Sequence, residues 1–220
     1  KLNLKIYGIS GLGADRRVFN YLSLNYDFIP LDWIAPLKKE SISEYSIRLS
    51  KCIDQTDEYI ILGVSFGGLV ATEISKVLSP SMTILISSAE TKSELPILFR
   101  LLGRTGLLKI LPTKIFNPPK KLAHYLFGTK RKKLLNDILN DTDLKFTKWA
   151  VNQLVIWDNN QTLKRVLKIN GTDDKLIPPK RNRAMELINK GEHFMIVDRA
   201  KEISIIINEK ISNLVINNNN

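Results

Sequence analysis

Short apolar runs of strand length alternate along the chain with stretches whose apolar residues recur every three or four positions. The runs "LNLKIYGIS", "YDFIPLDW", "EYIILGVS", "MTILISSA" and "RVLKINGT" read as strands, and a short sixth strand falls near "ELINKG", with "HFMIV" at or just past its end. Between them, "ADRRVFNYLS" reads as a short helix capped by Asp15, and "SISEYSIRLSKCI" as an amphipathic helix with Ser43 as its cap. "GGLVATEISKVL" is a third helix, a further one is expected around "RNRAMELI", and "AKEISIIINEKISNLV" closes the chain. Strands alternating with helices predict βαβ units. The fold class is therefore α/β: a mostly parallel sheet of about six strands flanked by helices.

The alternation stops over residues 91–162. This interval holds "ELPILFRLLGRTGLLKILP", "PPKKLAHYLFGTKRKKLLNDIL" and "LKFTKWAVNQLVIW", three helical segments separated by Pro, Gly or polar punctuation. The expected organisation is a core made of 1–90 and 163–216, a helical lid inserted at 91–162, and a frayed polar tail at 217–220.

Composition changes this picture little. At 220 residues, 44% hydrophobic and 25% charged, the chain suits one globular domain with an inserted subdomain, and its apolar runs are strand-sized rather than membrane-spanning. No basic-then-apolar start with a small-residue cleavage site is visible; the chain opens on Lys1, which leaves open a leader removed earlier. The net charge of +11 raises nucleic acid or an anionic membrane as partners. The excess reads as spread along a Lys-, Asn- and Ile-rich chain, and no helix-turn-helix, RNP or zinc pattern accompanies it, so no nucleic-acid partner is expected. Arg100, Arg104, Lys109 and the run "GTKRKKLL" read as the solvated face of packed lid helices rather than as a membrane dock, and Asp15-Arg16-Arg17 as a cap with a solvated face. Cys52 is the only cysteine, which excludes an internal disulfide and fits a reducing, cytoplasmic setting; it reads as a small apolar residue on its helix.

The chemistry concentrates in three loops. "ILGVSFGG" places Gly63 and Gly67 two residues either side of Ser65, directly between a strand and a helix. A sharp turn there lifts a serine hydroxyl above the sheet, and small neighbours avoid clashes with the backbone. A serine needs a base to attack at neutral pH. Of the two histidines, His124 lies in the helical insertion and reads as structural, whereas His193 lies in "NKGEHFMIVDRA", beyond the last strand. The base in turn needs a carboxylate, and "KINGTDDKLIPP" offers Asp173 and Asp174, between which spacing alone does not choose. The glycine-rich "ISGLGADRRVF" suggests a phosphate cradle, but Arg16 stands where a dinucleotide fingerprint needs its third glycine, and no G-K-S/T follows.

With the elbow "GVSFGG", the acid loop "GTDDKLIP" and the histidine loop "GEHFMIVDRA" in this order, the chain resembles the α/β-hydrolase-fold serine hydrolases from about Leu4 to Val215. It looks like the short, lidded members that lack the first two strands. The resemblance implies a triad of Ser65, Asp174 and His193, since the family's acid lies three residues after the glycine and four before the proline. It implies an oxyanion hole from the backbone N–H groups of Leu12 and Phe66. Ser88, Trp149 and Trp157 are candidate pocket residues, because lid aromatics commonly line acyl pockets in the family, although Phe146, Trp149 and Trp157 read first as packing of the last lid helix. Where many members have His-Gly at the start of the oxyanion loop, this chain has Ser10-Gly11, which puts in question how the loop is held. The implied activity is cleavage of a small carboxylic ester or related acyl substrate through an acyl-enzyme, with no metal or organic cofactor. The same residues also serve amide, peptide or thioester hydrolysis, carbon–carbon cleavage or lyase chemistry, or a low-turnover ligand-binding role.

Overall fold

The computed structural model describes residues 4–180 and 185–218. Six strands form one sheet: β1 (Lys5–Ile9), β2 (Asp27–Leu31), β3 (Tyr59–Val64), β4 (Met82–Ile86), β5 (Val166–Gly171) and β6 (Met185–Ile188). The strand order is β2-β1-β3-β4-β5-β6, and every neighbouring pair is parallel. Every residue of β3 and β4 is buried. Their continuous apolar runs follow from this, because helices cover both faces of a parallel sheet.

Helices α1 (Ile42–Ser50) and α2 (Phe66–Val77) cover one face. Tyr45 and Leu49 of α1 and Leu69, Val70 and Ile74 of α2 pack there on Tyr7, Ile9, Ile61 and Leu85. The long C-terminal helix, α9 (Ala200–Asn218), covers the other, setting Ile203, Ile207 and Ile211 against Ile6, Ile60, Leu62 and Ile84. Just before it lies the short α8 (Met195–Asp198). β2 and β3, the next two strands in the chain, lie on opposite sides of β1. The carboxyl ends of β1 and β3 therefore flank the crevice where ligands bind in sheets of this kind.

Between β4 and β5 the chain is helical, with α3 (Ile97–Thr105), α4 (Leu107–Ile110), α5 (Lys120–Phe127), α6 (Lys132–Asp141) and α7 (Leu144–Ile156), plus 3₁₀ turns at Lys92–Glu94 and Thr113–Phe116. Buried polar contacts pin both ends of this insertion. Lys168 of β5, itself buried, reaches Glu94 at 2.6 Å and Glu90 at 3.5 Å. Asn159 donates to the Glu90 carbonyl at 2.8 Å. The Trp157 indole N–H donates at 2.8 Å to Glu73 of α2, which also accepts from Ser43 at 2.6 Å and Lys76 at 2.7 Å.

Several local expectations need correction. The α1 cap is Ser41, not Ser43: Ser41 and Glu44 form a reciprocal capping box, while Ser43 donates its hydroxyl to Glu73. "ADRRVF" makes a single 3₁₀ turn, Arg16–Phe19, although Asp15 caps it as expected. The segment expected as a helix around "RNRAMELI" lies partly outside the described residues, at 181–184, and Met185–Ile188 is a strand. The open edge of β5 overrides local preference there, since its backbone groups need a partner. Cys52 lies just past α1 and is exposed rather than packed. The closing helix continues to Asn218, into the expected tail.

Removing the Glu73 carboxylate should loosen the insertion at its C-terminal root. Glu73→Leu orphans the buried Trp157 N–H, and one orphaned buried donor costs about 1–3 kcal/mol. Urea unfolding followed by tryptophan fluorescence should show a lower midpoint for Glu73→Leu and a smaller loss for Glu73→Gln, which keeps an acceptor. Equal midpoints for Glu73→Leu and the unsubstituted protein would rule out this pinning role.

Candidate active site

β3 ends at Val64, and α2 begins two residues later at Phe66, so the whole reversal falls on Ser65. Its backbone sits at φ 52°, ψ −122°, a region that non-glycine residues rarely occupy. The turn closes only because its inner side is bare. A Cβ on Gly67 would stand 2.1 Å from the Ser10 carbonyl oxygen, and one on Gly63 would stand 2.4 Å from the Gly67 carbonyl oxygen. Ser88 donates its hydroxyl to the Ser65 carbonyl at 2.7 Å, bracing the turn from the β4 side.

The Ser65 hydroxyl lies 2.9 Å from His193 Nε2. His193 Nδ1 lies 2.9 and 2.8 Å from the two oxygens of Asp174. Both of those side chains are buried, with Asp174 fully withdrawn from solvent. Asp174 Oδ1 also accepts the backbone N–H groups of Leu176 and Ile177, each at 2.9 Å, which fixes the carboxylate in place. Asp173 is exposed and takes its hydrogen bond from the Thr172 hydroxyl at 2.9 Å, away from the histidine. Of the two adjacent acids, the structure therefore brings Asp174 to His193.

The acid and histidine loops meet backbone to backbone. Asp173 N–H donates to the Gly191 carbonyl at 2.9 Å, and a Cβ on Gly171 would stand 2.0 Å from that same oxygen. A side chain at Gly171 would push the two loops apart. On its other side the histidine loop is tied to the helical insertion: Phe194 N–H donates to the Phe127 carbonyl at 2.9 Å, and the Phe127 ring lies 5.6 Å from the imidazole.

The glycine-rich loop after β1 passes directly over the serine, since a Cβ on Gly11 would lie 3.4 Å from Ser65 Cβ. Ser10, buried, donates its hydroxyl to the Ala14 carbonyl at 2.8 Å, which also accepts the Trp33 indole N–H at 3.0 Å. Thr142 at the end of α6 donates to the Gly13 carbonyl at 2.8 Å. Asp15, although partly desolvated, is held below the usual carboxylate range by Arg17. These contacts show how the loop is held where other chains carry a histidine. The backbone N–H groups of Leu12 and Phe66 have no acceptor among the described residues. Both residues stand beside Ser65, so both N–H groups are available to an oxygen bound there.

Above Ser65 and His193 opens a cavity of about 300 Å³. Apart from these two, the side chains around it are apolar. The core contributes Leu12, Val18, Leu176 and Ile177, and the insertion contributes Phe99, Leu102, Leu108, Phe127 and one face of α7 at Val151, Leu154 and Val155. Ser88, Trp149 and Trp157, the candidate pocket residues, do not line it, and the two tryptophans are packing residues, the reading placed first. Ser88 braces the turn, and Trp157 is buried against Glu73. Trp149 donates to the Glu40 carbonyl at 2.8 Å and packs on Tyr45 and on Phe66 from behind. Burial in this cluster pushes the Tyr45 phenol up to about 12, so it stays a neutral donor to the Ile34 carbonyl. The aliphatic lining was legible in principle: Phe99 and Leu102 are three apart, and Val151, Leu154 and Val155 follow helical spacing on the α7 face opposite Trp149. His124 bonds Asn136 at 2.9 Å and takes no part in the site.

Among the described residues no cluster of potential metal ligands occurs. No family model and no curated protein sequence matches the chain. Solved structures do. MenH from S. aureus superposes with a TM-score of 0.72 at 17% identity, over 97% of this chain and 95% of its own. An esterase from Thermogutta terrifontis, solved with malate bound, gives 0.68 at 13% identity over 96% and 90%. A lipase-esterase related protein from Clostridium acetobutylicum gives 0.66 at 18% identity over 97% and 95%. The six parallel strands, their order and the near-complete overlap with these proteins show that this chain has the α/β-hydrolase fold.

Proposed function

We propose that the protein is a serine hydrolase that cleaves a small carboxylic ester with an uncharged, apolar acyl group. One observation carries this reading: the unbroken chain from Ser65 Oγ through His193 to Asp174 at the floor of an apolar cavity. The esterases among the structurally similar proteins add support.

In this reading His193 Nε2 takes the Ser65 proton as Oγ bonds to the acyl carbon. The carbonyl π electrons move to oxygen, and the N–H groups of Leu12 and Phe66 bind the oxyanion. As the tetrahedral intermediate collapses, the bond to the leaving oxygen breaks and His193 returns its proton to that oxygen, releasing the alcohol. Water then attacks the acyl carbon and gives a proton to His193; the bond from that carbon to Ser65 Oγ breaks, His193 returns the proton to Oγ, and the carboxylic acid leaves. Asp174 keeps the Nδ1 proton in place and stabilises the imidazolium. The helical insertion acts as the lid: Phe99, Leu102 and α7 exclude water and hold the acyl chain. A carboxylate on the acyl chain would be buried there without a partner.

A fluorophosphonate probe should label Ser65 covalently and leave Ser65→Ala unlabelled, as read by intact-protein mass spectrometry. An unlabelled, folded wild-type protein would end the hydrolase reading. With p-nitrophenyl esters, kcat/KM should rise with acyl length until the cavity is full, and an acyl chain ending in a carboxylate should lose about a hundredfold or more. Turnover of peptides but not of esters would refute the ester form.

Asp174→Asn should lower turnover about 10⁴-fold with the fold intact, whereas Asp173→Asn should stay within a few-fold. Proton NMR separates the two independently of activity. The downfield Nδ1 proton of His193 should persist in Asp173→Asn and vanish or move upfield in Asp174→Asn; the opposite pattern would transfer the role to Asp173.

A further inference from the structure

The positive charge is not spread along the chain. Residues 95–136 hold ten of the 33 Lys and Arg and none of the 22 Asp and Glu, so this one stretch carries nearly all of the net +11. Arg104, Lys109, Lys114, Lys120 and Lys121 are exposed and have no carboxylate partner among the described residues. The same stretch exposes large aliphatic side chains: Ile97 at 66%, Leu98 at 59%, Ile110 at 79% and Ile115 at 59%, with Leu101 and Leu107 near half. α3, α4 and the turn at Thr113–Phe116 all pack on α7, which brings Arg104, Lys109 and Lys114 together with these aliphatics along that helix, and Lys120 and Lys121 follow at the start of α5.

α3 is apolar on two sides. Phe99 and Leu102 face the cavity above Ser65, while Ile97, Leu98 and Leu101 face solvent. Clustered exposed aliphatics mark a surface that is covered in use. Cations beside them fit an amphipathic helix lying in the plane of an anionic bilayer, with its aliphatic side chains in the acyl boundary and its Lys and Arg on the headgroup phosphates. No described helix is long and apolar enough to cross a membrane, so such contact would be peripheral.

We propose that α3, α4 and the turn after them form a docking surface for an anionic lipid bilayer, with the cavity immediately behind it. This replaces the expectation of a merely solvated basic face. Charge selects the sign of the surface. The exposed aliphatics favour lipid over nucleic acid or an acidic protein, which the cations alone would serve. The inference does not depend on the hydrolase reading, because its test measures partition.

The full chain should co-sediment with phosphatidylcholine vesicles containing phosphatidylglycerol, far less with phosphatidylcholine alone, and salt should weaken the binding. Reversing two charges, in Lys109→Glu/Lys114→Glu, should lower the partition coefficient about twentyfold or more. Leu98→Ser/Ile110→Ser should lower it at least several-fold at unchanged charge. None of these four residues lines the cavity, so circular dichroism and fluorophosphonate labelling in vesicle-free buffer should not change. Three results would overturn the proposal: no phosphatidylglycerol-dependent binding, binding that both double variants leave intact, or binding lowered by the charge pair but indifferent to Leu98 and Ile110. The last, together with retention of a short oligonucleotide or polyglutamate, would reassign the surface to an acidic macromolecule.

Discussion

A buried strand that becomes a buried helix through one residue leaves no room inside the turn for side chains. In this protein that residue is Ser65, held at φ 52° between β3 and α2. Such a conformation costs on the order of 1–3 kcal/mol. It persists because the residues on either side are anchored: Val64, Phe66, Leu69 and Val70 are all buried. The same closeness brings Gly67 against the Ser10 carbonyl, so the turn and the loop after β1 form one packed unit. The N–H of Phe66 and the loop that carries Leu12 thus come to stand on either side of one hydroxyl. Most of the site's geometry follows from this contact between backbones.

The rest of the site is added by a second contact of the same type. Gly171 and Gly191 let the loops after β5 and β6 touch, and the Asp173 N–H to Gly191 bond locks them. Asp174 and His193 are then in register, and the Lys175–Glu192 ion pair at 2.9 Å bridges the same two loops at the surface. Because Phe194 also bonds to Phe127 of the insertion, a shift of α5 is felt at the imidazole. Site and insertion are mechanically joined at that point.

These two contacts explain what was readable from sequence. Ser65, the two candidate acids and His193 each sit in a short loop with its own glycine, and local sequence reports local backbone demands. The strands were equally plain, since burial on both faces leaves only apolar runs. What failed depended on distant partners. Ser43 looked like a cap because it precedes an apolar run, yet Ser41 has Glu44 three residues later, and Ser43 belongs to Glu73 in another helix. Met185–Ile188 is a strand because β5 has an open edge beside it. The tryptophans were only candidates for the pocket, and packing is what they do, because each has an indole N–H that needs an acceptor. The acceptors, Glu73 and the Glu40 carbonyl, lie behind the core. Aliphatic residues, which make no such demand, line the cavity instead.

The charge was misread for the opposite reason. A whole-chain value of +11 averages over a remainder that is nearly neutral and one stretch of the insertion, residues 95–136, without a single acid. That insertion needs no help from charge to pack, since Ala123, Leu135, Ile138, Phe146 and Ala150 are buried within it or beneath it. Arg131 stacks on Tyr21 and Lys133 pairs with Asp137, but Arg104, Lys109, Lys114, Lys120 and Lys121 and the exposed aliphatics beside the first three have no such part in packing among the described residues. α3 carries apolar residues inward to the cavity and outward to solvent within the same nine residues. The outward set, Ile97, Leu98 and Leu101, keeps about half or more of its surface in water, which is the arrangement the proposed bilayer contact would use.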